Sequence, residues 1–174
     1  MLQDRQLIND LKCSSNNAFN LLYEKYIDDL YSLAVNLLAD QNLAQDVVQD
    51  VFITLLQSAD KIRIRTNLKG YLLTSIANRS RDYIRRNNRR PTVPITQAIF
   101  LKAESFDPAE SAIRSEQLRL AAIALNQLVY EQREVIVLHL QGKLKFKQIA
   151  KLQNVSIKTA QSRYRYGIDK LRSI

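Results

Sequence analysis

The stretch FKQIAKLQNVSIKTAQSRYRYGIDKL, residues 146–171, decides how this chain is read. Two helix-periodic segments flank Asn154-Val155-Ser156, a turn triplet in which Ser156 is placed to cap the second segment. Ile149 and Ala150 belong on the inner face of the first segment, where a small residue lets the second helix cross closely. Val155 plugs the junction, and Ile157, Ala160, Tyr164 and Ile168 form the apolar stripe of the second helix. Its other face carries Lys158, Thr159, Gln161, Ser162, Arg163, Arg165 and Tyr166. That face offers donors and acceptors for base edges together with cations for phosphate, as a helix lying in the major groove needs. The pattern is a helix-turn-helix; a solvated basic helix in an all-α domain is the plainer alternative.

The charge of the whole chain follows the same logic. Residues 143–172 hold nine Lys/Arg and one acid, and residues 61–90 hold ten and one. Residues 1–60 and 91–142 are net acidic, so the formal net charge of +9 sits in two blocks. A solvated surface usually mixes its signs, whereas segregation makes fields that steer a polyanion. Two basic blocks suggest two contact points on one long anion.

Upstream, the periodicity predicts helices almost throughout. Three Gly and three Pro in 174 residues argue against a turn-rich β fold. Asp4–Lys12 reads as a short helix with Leu7, Ile8 and Leu11 on one face. Cap-type Ser14, Ser15 and Asn16 reopen the chain. Phe19, Leu22, Tyr23, Tyr26, Leu30, Leu33, Ala34, Leu37 and Leu38 then mark one stripe to about Ala39. Asp40 can cap the next helix, with Leu43, Val47, Val48, Val51, Phe52, Leu55 and Leu56 inside. Residues 59–67 break the period and read as a loop. Asn67 can cap a helix from Leu68 to about Asn87, whose apolar face is Tyr71, Leu72, Ser75, Ile76 and Ile84. All three prolines fall between residues 91 and 112, a linker that divides the chain into domains of residues 1–90 and 113–174. The second holds four helical stretches, Ile113–Leu128, Glu131–Gln141, Phe146–Gln153 and Ile157–Arg172, with Gly142 as a C-terminal cap. The fold class is all-α: two small helical domains on a flexible linker.

Two further faces carry function. On the helix from Leu68, Arg79, Arg81, Arg85, Arg86, Arg89 and Arg90 crowd one end, interleaved with Tyr71, Asn78 and Tyr83. Cations that track a backbone beside aromatic and amide groups suit single-stranded nucleic acid; a surface Arg helix is the alternative. The preceding helix places Asp46, Gln49 and Asp50 on one polar face beside Phe52 and Ile53. An acidic face on so basic a chain suits a protein partner, although by charge alone a solubilising surface is the favoured account. A single Cys (Cys13) and a single His (His139) leave no disulfide and no ordinary zinc set. No Gly-rich phosphate loop and no paired carboxylates in an apolar cleft are present, so no catalytic residues, no metal and no cofactor are expected. No run is long enough to span a bilayer and the N-terminus lacks a signal-peptide core, so a cytoplasmic protein without a membrane partner is expected.

The segments NNAFNLLYEKYIDDLYSLAVNLLAD (16–40), LAQDVVQDVFITLL (43–56), LKGYLLTSIANRSRDYIRR (68–86) and residues 128–172, in this order, resemble the extracytoplasmic-function (ECF) sigma factors of bacterial RNA polymerase. The resemblance covers nearly the whole chain and both conserved sigma regions. It implies that Asp46, Gln49, Asp50 and Phe52 dock on the β′ clamp helices of RNA polymerase core, and that the C-terminal domain meets the β flap. It implies that Arg63, Arg65, Tyr71, Asn78, Arg79, Asp82, Arg85 and Arg86 recognise and melt the minus-ten element, with residues 61–67 near a flipped base. Lys158, Thr159, Gln161, Ser162, Arg163, Arg165 and Tyr166 would read the minus-thirty-five element. Promoter DNA, duplex and single-stranded, is thus the second partner, and an anti-sigma factor or a recruiting protein a third. Against the family, Trp is missing at Leu56 and Tyr71, Lys158 and Gln161 are unusual, and Gly167 weakens its helix by about 1 kcal/mol relative to Ala. The competing reading is a stand-alone helix-turn-helix regulator, which leaves the Arg-rich helix and the acidic face without a role.

Overall fold

The computed structural model describes residues 2–12, 16–59, 68–87 and 120–174. The described residues form helices α1 (Leu2–Lys12), α2 (Asn16–Leu38), α3 (Gln41–Gln57) and α4 (Leu68–Asn87) in the first half. The second half holds helical residues 120–126 (α5), α6 (Tyr130–Leu140), α7 (Phe146–Gln153) and α8 (Ile157–Arg172). The all-α reading holds, and no strand occurs among the described residues. Residues 60–67 of the expected loop, the prolines and residues 113–119 lie outside them, as do Cys13 and the cap residues Ser14, Ser15 and Asn67.

Helices α2, α3 and α4 share one core. Leu22, Leu30, Leu33 and Leu37 of α2, Val48 and Leu55 of α3, and Leu68, Leu72 and Ile76 of α4 are almost fully buried. Each such side chain contributes about 1.5–3 kcal/mol. α2 stops where Ala39 enters the left-handed region at φ 57°. Asp40 follows with extended backbone, and its Oδ1 accepts from the Leu43 amide at 3.0 Å, the expected cap of α3. α1 lies on α2 through Leu7, Ile8 and Leu11. Asp4 pins it there, accepting from Lys25 Nζ at 2.7 Å and Tyr26 Oη at 3.0 Å. Two stripe residues of the sequence reading, Tyr23 and Leu56, are exposed instead. Both sit at the edge of an apolar arc wider than the core needs.

In the second half α6 is buried from Glu134 to Leu138 without a break. A helix buried all round needs neighbours on every side. α6 has them: it packs against α7 and α8 and also against α2 of the first half. Gly167 of α8 is buried at the α6 crossing, where an added Cβ would lie 2.7 Å from Ile136 Cδ1. Its expected cost in helix propensity therefore comes with closer packing. Gly142 does not cap α6 as expected. The left-handed residue there is Lys143 (φ 53°), and Gly142 serves by being small, since a Cβ would come within 2.7 Å of the Leu138 carbonyl oxygen.

The turn between α7 and α8 follows the expectation closely. Asn154 is left-handed (φ 53°, ψ 48°), and the Val155 amide donates to the Ala150 carbonyl at 2.9 Å, closing α7. Ser156 Oγ accepts from the Thr159 amide at 3.0 Å, opening α8. Ile149, Ala150 and Ala160 are buried where the helices cross. Ile157, expected in the buried stripe, is 44% exposed. It is the first residue of α8, one turn before the crossing at Ala160, and so projects past α7.

Candidate nucleic-acid interface

The α8 face is presented as the turn dictates. Lys158, Thr159, Gln161, Arg165 and Tyr166 are exposed, while Ser162 and Arg163 are half-buried. The Arg165 guanidinium lies over the Tyr166 ring, 5.2 Å from its centroid. Arg163 is not free: its Nη1 donates to Gln153 Oε1 of α7 at 2.8 Å. Behind this face His139 stacks on Phe146 (4.3 Å between centroids) and meets the Tyr164 ring edge-on at 5.2 Å. His139 Nδ1 lies 2.9 Å from the Leu144 carbonyl oxygen, so it is a packed, half-buried helix residue as the sequence suggested.

On α4 the four Arg residues divide. Asn78, Arg79, Asp82, Arg85 and Arg86 are exposed, and Arg85 pairs with Asp82 one turn back at 3.2 Å. Tyr71 is half-buried against the core. Arg63 and Arg65 lie outside the described residues. Arg81, grouped with the backbone-tracking cations in the sequence reading, points the other way. Its Nη2 donates to Glu134 Oε1 of α6 at 2.6 Å and its Nη1 to the Leu152 carbonyl of α7 at 2.6 Å. Helical geometry explains this: Arg81 is i+4 from Ala77 and i+5 from Ile76, on the edge of the buried stripe and not on the solvent face.

Glu134 is the carboxylate at the centre of this arrangement, with its side chain 1% exposed. Besides Arg81 it accepts from Gln153 Nε2 at 2.8 Å and Tyr130 Oη at 3.3 Å. Burial raises its pKa above the ordinary carboxylate value, while Arg81 and the hydrogen bonds from Gln153 and Tyr130 pull it back. Burial and the carboxylate also push the Tyr130 phenol up. Sequence reading missed this pair. Its one signal was a glutamate abutting the apolar run Val135–Leu138, with nothing to name its partner.

The α3 face is half as expected. Asp46, Gln49 and Asp50 are exposed along one side. Phe52 is not with them: it is 2% exposed, its ring 4.9 Å from Tyr23 and 6.0 Å from Phe19. Burying that ring completes the α2–α3 core, so the docking role assigned to it is corrected. The exposed apolar residues beside the acids are Ile53 and Leu56. Ile53 follows Asp46, Gln49 and Asp50 at helical spacing, a signal the sequence did carry.

Among the described residues no cluster of His, Cys, Asp or Glu is arranged to hold a metal ion, and no helix is long and apolar enough to cross a membrane.

Comparison with known proteins adds to this geometry. The sigma-70 region 2 family matches residues 22–90, and the sigma-70 region 4 family matches residues 122–171. The chain is 29% identical to the ECF RNA polymerase sigma factor SigX of Bacillus subtilis, over 83% of this chain and 78% of that protein. It is 26% identical to the RNA polymerase sigma-H factor of Pseudomonas aeruginosa, over 97% and 93%. Among solved structures it resembles the sigma factor RpoE in complex with the anti-sigma factor NepR from Bartonella quintana. There the TM-score is 0.71 and the identity 23%, over 89% of this chain and 94% of that one. It also resembles CnrH in complex with the cytosolic domain of CnrY, with TM-score 0.66 and 22% identity over 98% and 96%. At these identities the structures share the fold.

Proposed function

The chain belongs to the sigma-70 family of transcription initiation factors, among its ECF members, and from that premise we propose that it carries RNA polymerase core to promoters and opens them. The observation that supports this best is the separation of three exposed faces: acidic and apolar on α3, cationic on α4, mixed polar and cationic on α8. A stand-alone regulator needs the last alone.

In this reading Asp46, Gln49, Asp50, Ile53 and Leu56 dock on the β′ clamp helices, the apolar pair supplying buried area and the acids complementarity. Asn78, Arg79, Asp82, Arg85 and Arg86, with Arg63 and Arg65 upstream, hold the unpaired minus-ten strand, and Tyr71 offers an edge for stacking. Melting costs a few kcal/mol per unstacked base; stacking on aromatic and Arg planes returns about 1–3 kcal/mol each. The exposed α8 residues and Arg163 read the minus-thirty-five duplex, with the C-terminal domain seated on the β flap. Core fixes the separation of domains 1–90 and 113–174, so two weak contacts act at high effective concentration. The chain itself makes or breaks no bond; the polymerase performs phosphoryl transfer in the cytoplasm. An anti-sigma protein or a recruiting protein is the further partner, as the complexes of the two structural neighbours suggest.

The decisive experiment is transcription in vitro with purified core on a promoter library. Arg85→Ala with Arg86→Ala is expected to lower open-complex formation while core binding stays intact. A chain that binds duplex promoters alone and never engages core would be a stand-alone regulator.

A further inference from the structure

Gln153 is the last residue of α7 and stands between a buried carboxylate and a half-buried cation. Its Nε2 donates to Glu134 Oε2 at 2.8 Å and to the Glu131 carbonyl at 3.0 Å, both on α6. Its Oε1 accepts from Arg163 Nη1 of α8 at 2.8 Å. An amide has a donor end and an acceptor end, and acceptors that take up the nitrogen leave the oxygen to face the guanidinium. Arg81 and Tyr130 use the other oxygen of Glu134, Oε1, so the leg through Oε2 is separate from the contact to α4. One side chain thus joins α6, α7 and α8 within the second half.

Arg163 stands on the flank of α8. It is i+3 from Ala160 and i−4 from Gly167, and both of these are buried. Its stem therefore leaves from the edge of the buried stripe, beside α7, while Lys158, Gln161 and Arg165 stand on the exposed face. In a helix-turn-helix the exposed face of the second helix meets base edges and the first helix crosses the phosphate backbone. A cation on the α7 flank is thus on the phosphate side. Among the described residues no carboxylate forms an ion pair with Arg163. That matters for its charge. A neutral amide fixes the direction of the guanidinium fork and leaves its charge whole, whereas a carboxylate in the same place would cancel it.

We propose that Gln153 is a positioning residue that holds Arg163 ready for a single phosphate beside the minus-thirty-five element. The assignment rests on the proposed function for the identity of the anion, which it deepens. A guanidinium held in place before the duplex arrives avoids the ordering cost that a loose arginine meets on binding. Glu134 anchors the arrangement, because a carboxylate with its side chain 1% exposed keeps a firm hold on the amide that reaches it. A phosphate contact positions the helix without choosing a base, so losing it weakens binding alike on every sequence.

Fluorescence anisotropy of the full chain on core, with a minus-thirty-five duplex selected by the wild type, tests this when single phosphates are replaced by neutral methylphosphonate. One replacement should weaken wild-type binding several-fold. Arg163→Gln should be blind to that replacement, with the slope of log affinity on log salt shallower by about 0.9. Gln153→Met, which keeps the side-chain volume, should bind the natural duplex several-fold more weakly and lose most of the sensitivity. The double variant should bind no more weakly than Arg163→Gln alone. Nitrogen NMR spectra of the arginine side chains in the free full chain read the hold without DNA, Arg163→Gln assigning the signal. The Arg163 guanidinium should turn slowly in the wild type and faster in Gln153→Met. A guanidinium that turns freely in the wild type, no sensitive phosphate, a Gln153→Met chain as sensitive as wild type, losses that add in the double variant, or an Arg163→Gln loss confined to one base position would each overturn the assignment. Absence of any minus-thirty-five selection by chain and core would instead count against the sigma-factor role, the nitrogen spectra still deciding whether Gln153 holds Arg163.

Discussion

Arg79 of α4 and Asp50 of α3 form an ion pair, with Nη1 3.0 Å from Oδ2, and the second guanidinium nitrogen of Arg79 donates to Thr54 Oγ1 at 2.8 Å. The proposed polymerase face and the proposed minus-ten face are therefore in electrostatic contact. If Asp50 docks on the clamp as proposed, its hold on Arg79 would loosen, and that cation would be released toward a DNA strand when polymerase binds.

Both members of that pair are about half exposed, so it contributes no more than about 1 kcal/mol to folding. Asp50→Ala should leave the unfolding free energy within about 1 kcal/mol of wild type in a urea titration. It should cost about 1 kcal/mol or more of core-polymerase affinity. Arg79→Ala should leave core binding alone and slow open-complex formation, followed by permanganate reactivity of unpaired thymines. Equal losses of fold and binding in Asp50→Ala would contradict the assignment.

The glycines give a stability test with opposed expectations. At Gly142 a Cβ meets the Leu138 carbonyl oxygen at 2.7 Å, and backbone cannot yield. Gly142→Ala should cost about 1–3 kcal/mol. At Gly167 the clash is with Ile136 Cδ1, the end of a side chain that can turn, and about 1 kcal/mol of helix propensity is regained. Gly167→Ala should lie within about 1 kcal/mol of wild type. Chemical denaturation of the two variants side by side checks the order, and the reverse order would refute it.

Asp4 sets an acid limit on the docking of α1. Burial pushes its carboxyl up, but hydrogen bonds from Lys25 and Tyr26 more than reverse this, leaving it below the ordinary value. A carboxyl held lower in the folded chain than in the unfolded one adds stability above its unfolded pKa, about 3.9, and loses it as pH falls further. Asp4→Asn should cost about 1–2 kcal/mol at pH 7 and less at pH 3. Amide hydrogen exchange in α1 measures this; a penalty that grows toward acid would have the wrong sign.

On α8, Gln161→Ala and Arg165→Ala should each cost about 1–3 kcal/mol at a particular base position and relax preference there. Selection from a randomised minus-thirty-five library reads this out. A loss spread evenly over all sequences, with a shallower salt dependence, would mark the residue as a phosphate contact.

Much of this protein is local and was legible as such. The caps at Asp40 and Ser156, the left-handed turn at Asn154 and the crossing at Ala150 and Ala160 each depend on a few neighbouring residues. Where the reading failed, the deciding partner lay elsewhere. Phe52 and Leu56 sit in one apolar arc, and nothing in the arc says that Tyr23 and Phe19 cover the first and leave the second bare. Gly142 looked like a cap because a glycine past a helix end commonly takes the left-handed turn, which here falls one residue later, on Lys143.

Helix spans, the two cationic blocks and the recognition helix are properties of spacing and composition, because a 3.6-residue period and a charge are carried by the residues themselves. Which arginine faces solvent is not such a property. Arg79, Arg81, Arg85 and Arg86 are alike as letters, and only the docking of α6 against α2, which brings Glu134 beside α4, turns Arg81 into an internal tie. Long-range pairing of that kind depends on where two separately folded stretches come to rest, and periodicity within either one carries no record of it.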